Sequence, residues 1–131
     1  MTAELWNDAI HRVIARIEDT ARRIGDRFPH WADTDTGDWV TTVDGDWTGG
    51  YYVGMHWLAL KVAPNAAMEA RAHALAARIG DRANQHSVFK SFPVYYGAAI
   101  GAMLGDRPQL RETVLACARS LVKMYLSLIH I

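Results

Sequence analysis

Two stretches of this chain, "YYVGMHWLALKV" at residues 51–62 and "FPVYYGAAIGAML" at residues 92–104, are apolar or small at nearly every position. Helices built from them have no face suited to water, so both are expected to lie inside other protein. Gly50 and Gly54 stand four apart, as do Gly97 and Gly101. Glycine forfeits ~1 kcal/mol of helix propensity, and in return it lets a neighbouring backbone approach closely.

Three further segments are one-sided. Leu5, Ala9, Val13, Ile17, Ala21 and Ile24 recur at three- and four-residue spacing among arginines and acids. They predict an amphipathic first helix, closed by Gly25 and kept from continuing by Pro29. Met68, Ala72, Leu75 and Ile79 form one stripe of a helix over 65–79. Leu110, Val114, Cys117, Ala118, Leu121 and Tyr125 form another over 107–125, with Asp106 in position to cap it. Short links at "APN" and "GDR" and a long one from Gly25 to Trp47 join the five. An all-α fold of helical hairpins in two concentric layers follows, with helices one, three and five outside and two and four inside. "IGDRFPHW" after the first helix is echoed by "IGDRANQH" after the third, which supports a repeat. No strand is expected.

Fourteen basic residues balance fourteen acidic ones, so the charge gives no reason to expect nucleic acid or a membrane surface as partner. The longest apolar run, 92–104, falls short of the ~20 residues of a membrane-spanning helix. The N-terminal stretch mixes acids with arginines and lacks a signal-peptide core, and the lone Cys117 can form no internal disulfide. A cytoplasmic location is the expectation. Cys117 itself reads as a buried thiol on an apolar helix face. No cofactor is expected, and no metal, because the histidines show no paired spacing. The acidic loop "DTDTGDWVTTVDGDW" invites a calcium reading, but counted from Asp33 it puts Gly37 fifth and Asp38 sixth, the wrong order for an EF-hand.

Two buried helices with three amphipathic partners make an incomplete core. Residues 1–125 are therefore expected to be the N-terminal part of a larger domain, and the apolar ending "LSLIHI", residues 126–131, a non-native tail. Alone, such a chain should expose an apolar patch and associate. A clean monomer with a sharp melt would count against that.

With the hairpins placed, "DWTGGYYVGMHWLAL" resembles the "W-T-x-G-F-W-x-G-x-L-W-L" signature of the unsaturated glucuronyl hydrolases, six-hairpin glycosidases of the family 88/105 type. The likeness continues through the outer helix at 65–79, through "QHSVFKSF" at 85–92 where those enzymes have "H-D-x-G-F", and through "GAMLGD" at 101–106. It implies an (α/α)6 toroid, of which this chain holds about five of the twelve helices. It also implies release of a 4,5-unsaturated uronic acid from an oligosaccharide, by protonation and hydration of the sugar's double bond. The aspartates that do this sit in a pocket favouring their neutral form. One lies in the "H-D-x-G-F" motif, where this chain has His86 followed by Ser87, with Phe89 and Lys90 for the glycine and phenylalanine. A serine hydroxyl is no general acid near neutral pH. The other aspartate belongs to a later inner helix, so no catalytic residue is assigned in this chain.

The substrate-binding candidates share one rim. Trp47, at the entry to the second helix, either offers an indole face to a pyranose or packs as a core tryptophan. Only one of Tyr51 and Tyr52 can face the toroid axis; Tyr51 is the candidate, with packing as the competing reading. His86 either contacts sugar or is an ordinary loop histidine, and Ser87 either contacts it or caps a helix. Asp44 and Asp46 stand on a polar rim loop, able to accept hydrogen bonds from sugar hydroxyls. His56, inside "GMHWL", reads as a satisfied core histidine. Three functions compete: a glycoside hydrolase acting on uronyl oligosaccharides, a catalytically silent carbohydrate-binding toroid, and a helical interaction module whose glycines and aromatics serve packing alone.

Overall fold

A computed structural model of the chain describes residues 2–129. Its elements run α1 (Thr2–Ile24), β1 (Phe28–Ala32), β2 (Trp39–Thr42), α2 (Gly49–Val62) and α3 (Ala66–Gly80). A 3-10 turn (Val88–Lys90), α4 (Ser91–Val94), a π-helical turn (Tyr95–Ala99), α5 (Ile100–Leu104) and α6 (Pro108–Ile129) follow. α4, the π turn and α5 form one rod over residues 91–104. This rod and α2 are the inner pair, with α3 and α6 packed outside them. The fold is the expected one, a partial all-α toroid of helical hairpins.

Glycine sets the distance between the inner helices. A Cβ added at Gly54 would stand 2.8 Å from the Tyr96 carbonyl oxygen, and one at Gly97 would stand 3.5 Å from Cα of Gly50. Backbone therefore meets backbone with no side chain between. The contact is fastened by Trp57, whose buried indole Nε1 donates to the Gly97 carbonyl at 2.7 Å. Inside the π turn the Ile100 N–H bonds the Tyr95 carbonyl, five residues back. The widened turn thus coincides with the point where the indole enters. At the far end of the pair Arg107 donates to the Gly101 carbonyl (3.0 Å) and to Glu69 Oε1 (2.9 Å), with its guanidinium 4.6 Å over the Trp57 ring. On α3 the stripe Met68, Ala72, Leu75 and Ile79 is buried as its spacing requires. Asn65 caps the helix by accepting from the Met68 N–H at 2.9 Å.

Several expectations need correction. The 25–47 link contains a hairpin, where no strand is legible in the sequence: β1 and β2 pair antiparallel, with a bulge between Pro29 and Trp31. Its turn is held by Asp33, whose carboxylate accepts from the N–H groups of Asp35 and Thr36 at 2.9 Å, a pair of bonds that draws the carboxyl below its usual range. Its base is pinned by Phe28, wholly buried against Gly45 and Gly49. The first helix is covered only in its C-terminal half. Ile17, Thr20 and Ala21 are buried, but Leu5 and Val13 on the same side are 61% and 52% exposed. The inner helices are not enclosed all round either. α2 exposes Tyr51, Met55, Leu58 and Val62, and the rod exposes Phe92, Tyr95 and Met103, because the described outer helices cover one side of the pair. On α6, Leu110 and Cys117 are buried while Ala118 and Tyr125 face solvent. The helix continues to Ile129, and His130 and Ile131 of the expected tail lie outside the described residues.

Three inward-facing polar groups have structural explanations. His56 is buried and its Nδ1 donates to the Tyr52 carbonyl at 2.8 Å; burial holds its pKa below the ordinary histidine value, so the ring is neutral. The Cys117 thiol is pushed up by burial. Lys90 is buried, with Nζ donating to the Gln85 carbonyl (2.8 Å) and to Ser120 Oγ (2.5 Å), which fastens the rod to α6. Among the described residues no helix is long and apolar enough to cross a membrane.

Candidate functional site

The hairpin returns to the mouth of α2, and the residues between them form the candidate site. Gly45 (φ +83°) and Asp46 (φ +43°) are both left-handed, a region uncommon for residues with a Cβ and entered by aspartate more readily than by most. An imidazole and a guanidinium flank Asp46. His30 Nε2 lies 3.6 Å from Asp46 Oδ2, and Arg82 Nη2 lies 3.9 Å from Asp46 Oδ1. Arg82 is committed more strongly to Asp44, with Nη1 2.5 Å from Oδ2. On its other side the His30 ring, through Nδ1, makes a 2.8 Å hydrogen bond with Thr48 Oγ1, the residue from which α2 starts.

The bulge explains how His30 reaches this point. One extra residue between Pro29 and Trp31 breaks the alternation of the strand and re-aims a side chain. The imidazole then lies 4.4 Å from the Trp31 ring and 6.4 Å, edge-on, from Trp47. Both indoles remain half-exposed, at 55% and 49%. The result is a polar floor of two fixed carboxylates, an imidazole and a guanidinium, walled by two accessible aromatic rings. Such a floor can accept from hydroxyl groups, and such walls can take the apolar face of a ring.

Of the residues singled out from sequence, Asp44, Asp46 and Trp47 are brought together. Tyr51 is exposed one turn into α2 and packs on Tyr96 at 4.2 Å, where desolvation and the second phenol raise its pKa. Ser87 acts as a cap, its Oγ accepting from the Phe89 N–H at 3.2 Å. His86 is exposed on the link before the rod and has no hydrogen bond or ring contact with the cluster among the described residues. The position of the family phenylalanine is taken by buried Lys90, so this motif is spent on joining the rod to α6. Asp38, from the acidic loop, accepts from Arg23 at 2.7 Å.

His30, Thr48 and Arg82 are the members that sequence reasoning missed. A signal for Arg82 existed in the repeated "IGDR", because Arg27 and Arg82 hold equivalent places after α1 and α3. Arg27 donates to Thr41 through Nε (2.6 Å, to Oγ1) and Nη2 (3.0 Å, to the carbonyl), while Arg82 holds Asp44. The two arginines therefore grip the same segment. Arg78 adds contacts to the Asp26 and Val43 carbonyls and stacks on Phe28.

No family model matches the sequence, and no curated protein matches it either. Among solved structures the chain is similar to an unsaturated glucuronyl hydrolase from Bacillus sp. GL1, described as responsible for the degradation of glycosaminoglycan. The TM-score is 0.79 at 22% identity, covering 90% of this chain and 32% of that one. This chain thus spans about a third of that protein's length, and the likeness shows its fold, part of an all-α toroid of helical hairpins.

Proposed function

We propose that the rim at residues 44–48 is a carbohydrate site, and that residues 1–125 form the N-terminal part of a glycoside hydrolase-like toroid acting on uronyl oligosaccharides. Asp46 carries this reading: it keeps a left-handed backbone between His30 and Arg82, beside a half-exposed tryptophan. Strain held in place by flanking partners marks a site more than it marks packing. The structural likeness to a glucuronyl hydrolase supports the substrate class. Hydration of an unsaturated uronyl group needs a carboxylic acid that protonates the double bond and then takes a proton from water. Ser87 can do neither, so the motif that carries this acid in the glucuronyl hydrolases does not supply it here.

The test is a titration of the chain with an unsaturated uronyl disaccharide, followed by tryptophan fluorescence. Saturable quenching is expected, with Trp47→Ala weakening it about tenfold or more, as for loss of an aromatic anchor. Trp6→Ala, far along α1, is the control. Equal binding by Trp47→Ala and the parent chain would refute the reading. A second reading, a silent binding toroid, is favoured by Ser87 serving as a cap. In a longer chain carrying the remaining helices, loss of the ultraviolet absorbance of the conjugated double bond would establish hydrolysis. Saturable binding with that absorbance intact would establish the silent form.

A further inference from the structure

Away from the rim, a cavity of about 250 Å³ opens between α1, α2 and the start of α3. His56 forms part of its wall, is 1% exposed, and uses only Nδ1, which donates to the Tyr52 carbonyl. That bond fixes the tautomer and leaves Nε2 an acceptor without a partner. Burial, and to a smaller degree the nearby Arg71 guanidinium, keep the ring neutral against the opposing pull of the Tyr52 bond. Arg71 also faces the cavity and makes no ion pair or hydrogen bond among the described residues. Arg22 contributes a second guanidinium, shared with Asp19 at 3.2 Å. The first turn of α3 opens here too. Asn65 occupies the Met68 N–H, which leaves the N–H groups of Ala66 and Ala67 as the orphan donors of the helix. Glu18 is the carboxylate on this wall.

We infer that this cavity binds a small oxyanion that still carries a proton, of which hydrogen phosphate is the simplest. Its deprotonated oxygens meet Arg71, Arg22 and the α3 N-terminus, and its remaining O–H donates to His56 Nε2. Glu18 sharpens the preference, because it repels full negative charge and can accept from a hydroxyl. The site is separate from the sugar rim and does not depend on it.

Sulfate is the discriminating probe, since it matches phosphate in size but carries no proton near neutral pH. The 131-residue chain is titrated with inorganic phosphate and, in parallel, with sulfate, by calorimetry and by amide NMR. Phosphate should bind saturably and shift the amides of Ala66 to Met68, with sulfate weaker by about tenfold, the worth of one hydrogen bond to a charged group. Arg71→Gln should weaken phosphate by a similar or larger factor, whereas Arg111→Gln, on the exposed side of α6, should not. Absent saturation, equal binding of sulfate, or an equal loss in the Arg111 variant would overturn the inference. If Arg71→Gln fails to fold, the phosphate-to-sulfate ratio of the unaltered chain decides.

Discussion

Gly50→Ala tests the central claim about packing, that the inner helices touch through their backbones. A Cβ at Gly50 would stand 2.5 Å from the Pro93 carbonyl oxygen and 2.8 Å from its carbonyl carbon, main-chain atoms that cannot swing aside as a side chain can. Gly80 is the contrast, because a Cβ there would meet only the Thr113 side chain at 3.4 Å. Alanine recovers up to ~1 kcal/mol of helix propensity at either position. Against this, overpacking costs about 1–3 kcal/mol, and the rigid neighbour at Gly50 puts it near the upper end. Gly50→Ala should therefore lose about 2 kcal/mol net, while Gly80→Ala should gain up to ~1 kcal/mol. Urea unfolding followed by far-ultraviolet circular dichroism reads both as midpoint shifts of opposite sign at unchanged slope. A Gly50→Ala midpoint equal to or above that of the parent chain would refute the backbone contact and the inner pairing built on it.

Tyr52 is buried with its hydroxyl unpartnered, and burial, only partly offset by Arg71, pushes its pKa up to about 12 from 10. The unfolded chain releases this proton first, so stability should fall as pH rises from about 10 to about 12; Tyr52→Phe should remove that fall and be neutral or slightly stabilising at pH 7, measured as urea midpoints against pH. Trp57→Phe leaves the Gly97 carbonyl without its donor and should cost about 1–3 kcal/mol in the same assay, well beyond a surface substitution. Asp46→Gly relieves the left-handed backbone and should raise the midpoint by up to ~1 kcal/mol while abolishing sugar-dependent quenching, so stability and binding move in opposite directions.

What the sequence discloses depends on whether a residue's fate is decided locally. Met68, Ala72, Leu75 and Ile79 are legible because helix spacing alone puts them on one face, and that face is buried. Leu5 and Val13 obey the same rule and are exposed, since spacing says nothing of what stands opposite. The hairpin hides for another reason. Its strands have five and four residues, Pro29 lies inside the first, and the bulge interrupts the alternation that would betray it. At the rim, Asp44, Asp46 and Trp47 can be read as polar and aromatic residues ahead of an inner helix. His30 and Arg82 cannot, because the contacts that recruit them cross from a strand and from the end of α3. Ser87 is legible as a cap because capping is decided by the residues beside it, whereas its place in a sugar site rests on resemblance alone.

The paired grip of Arg27 and Arg82 has a mechanical meaning. One follows α1, the other follows α3, and the points they hold, Thr41 and Asp44, lie within one short segment. That segment acts as a strut strung between successive hairpins. If α1 slides or tilts against α3, the strut must twist, and Asp46 and Trp47 are the next residues along it. The acids and indole of the rim are in this way tied, through two arginines, to the ends of both α1 and α3.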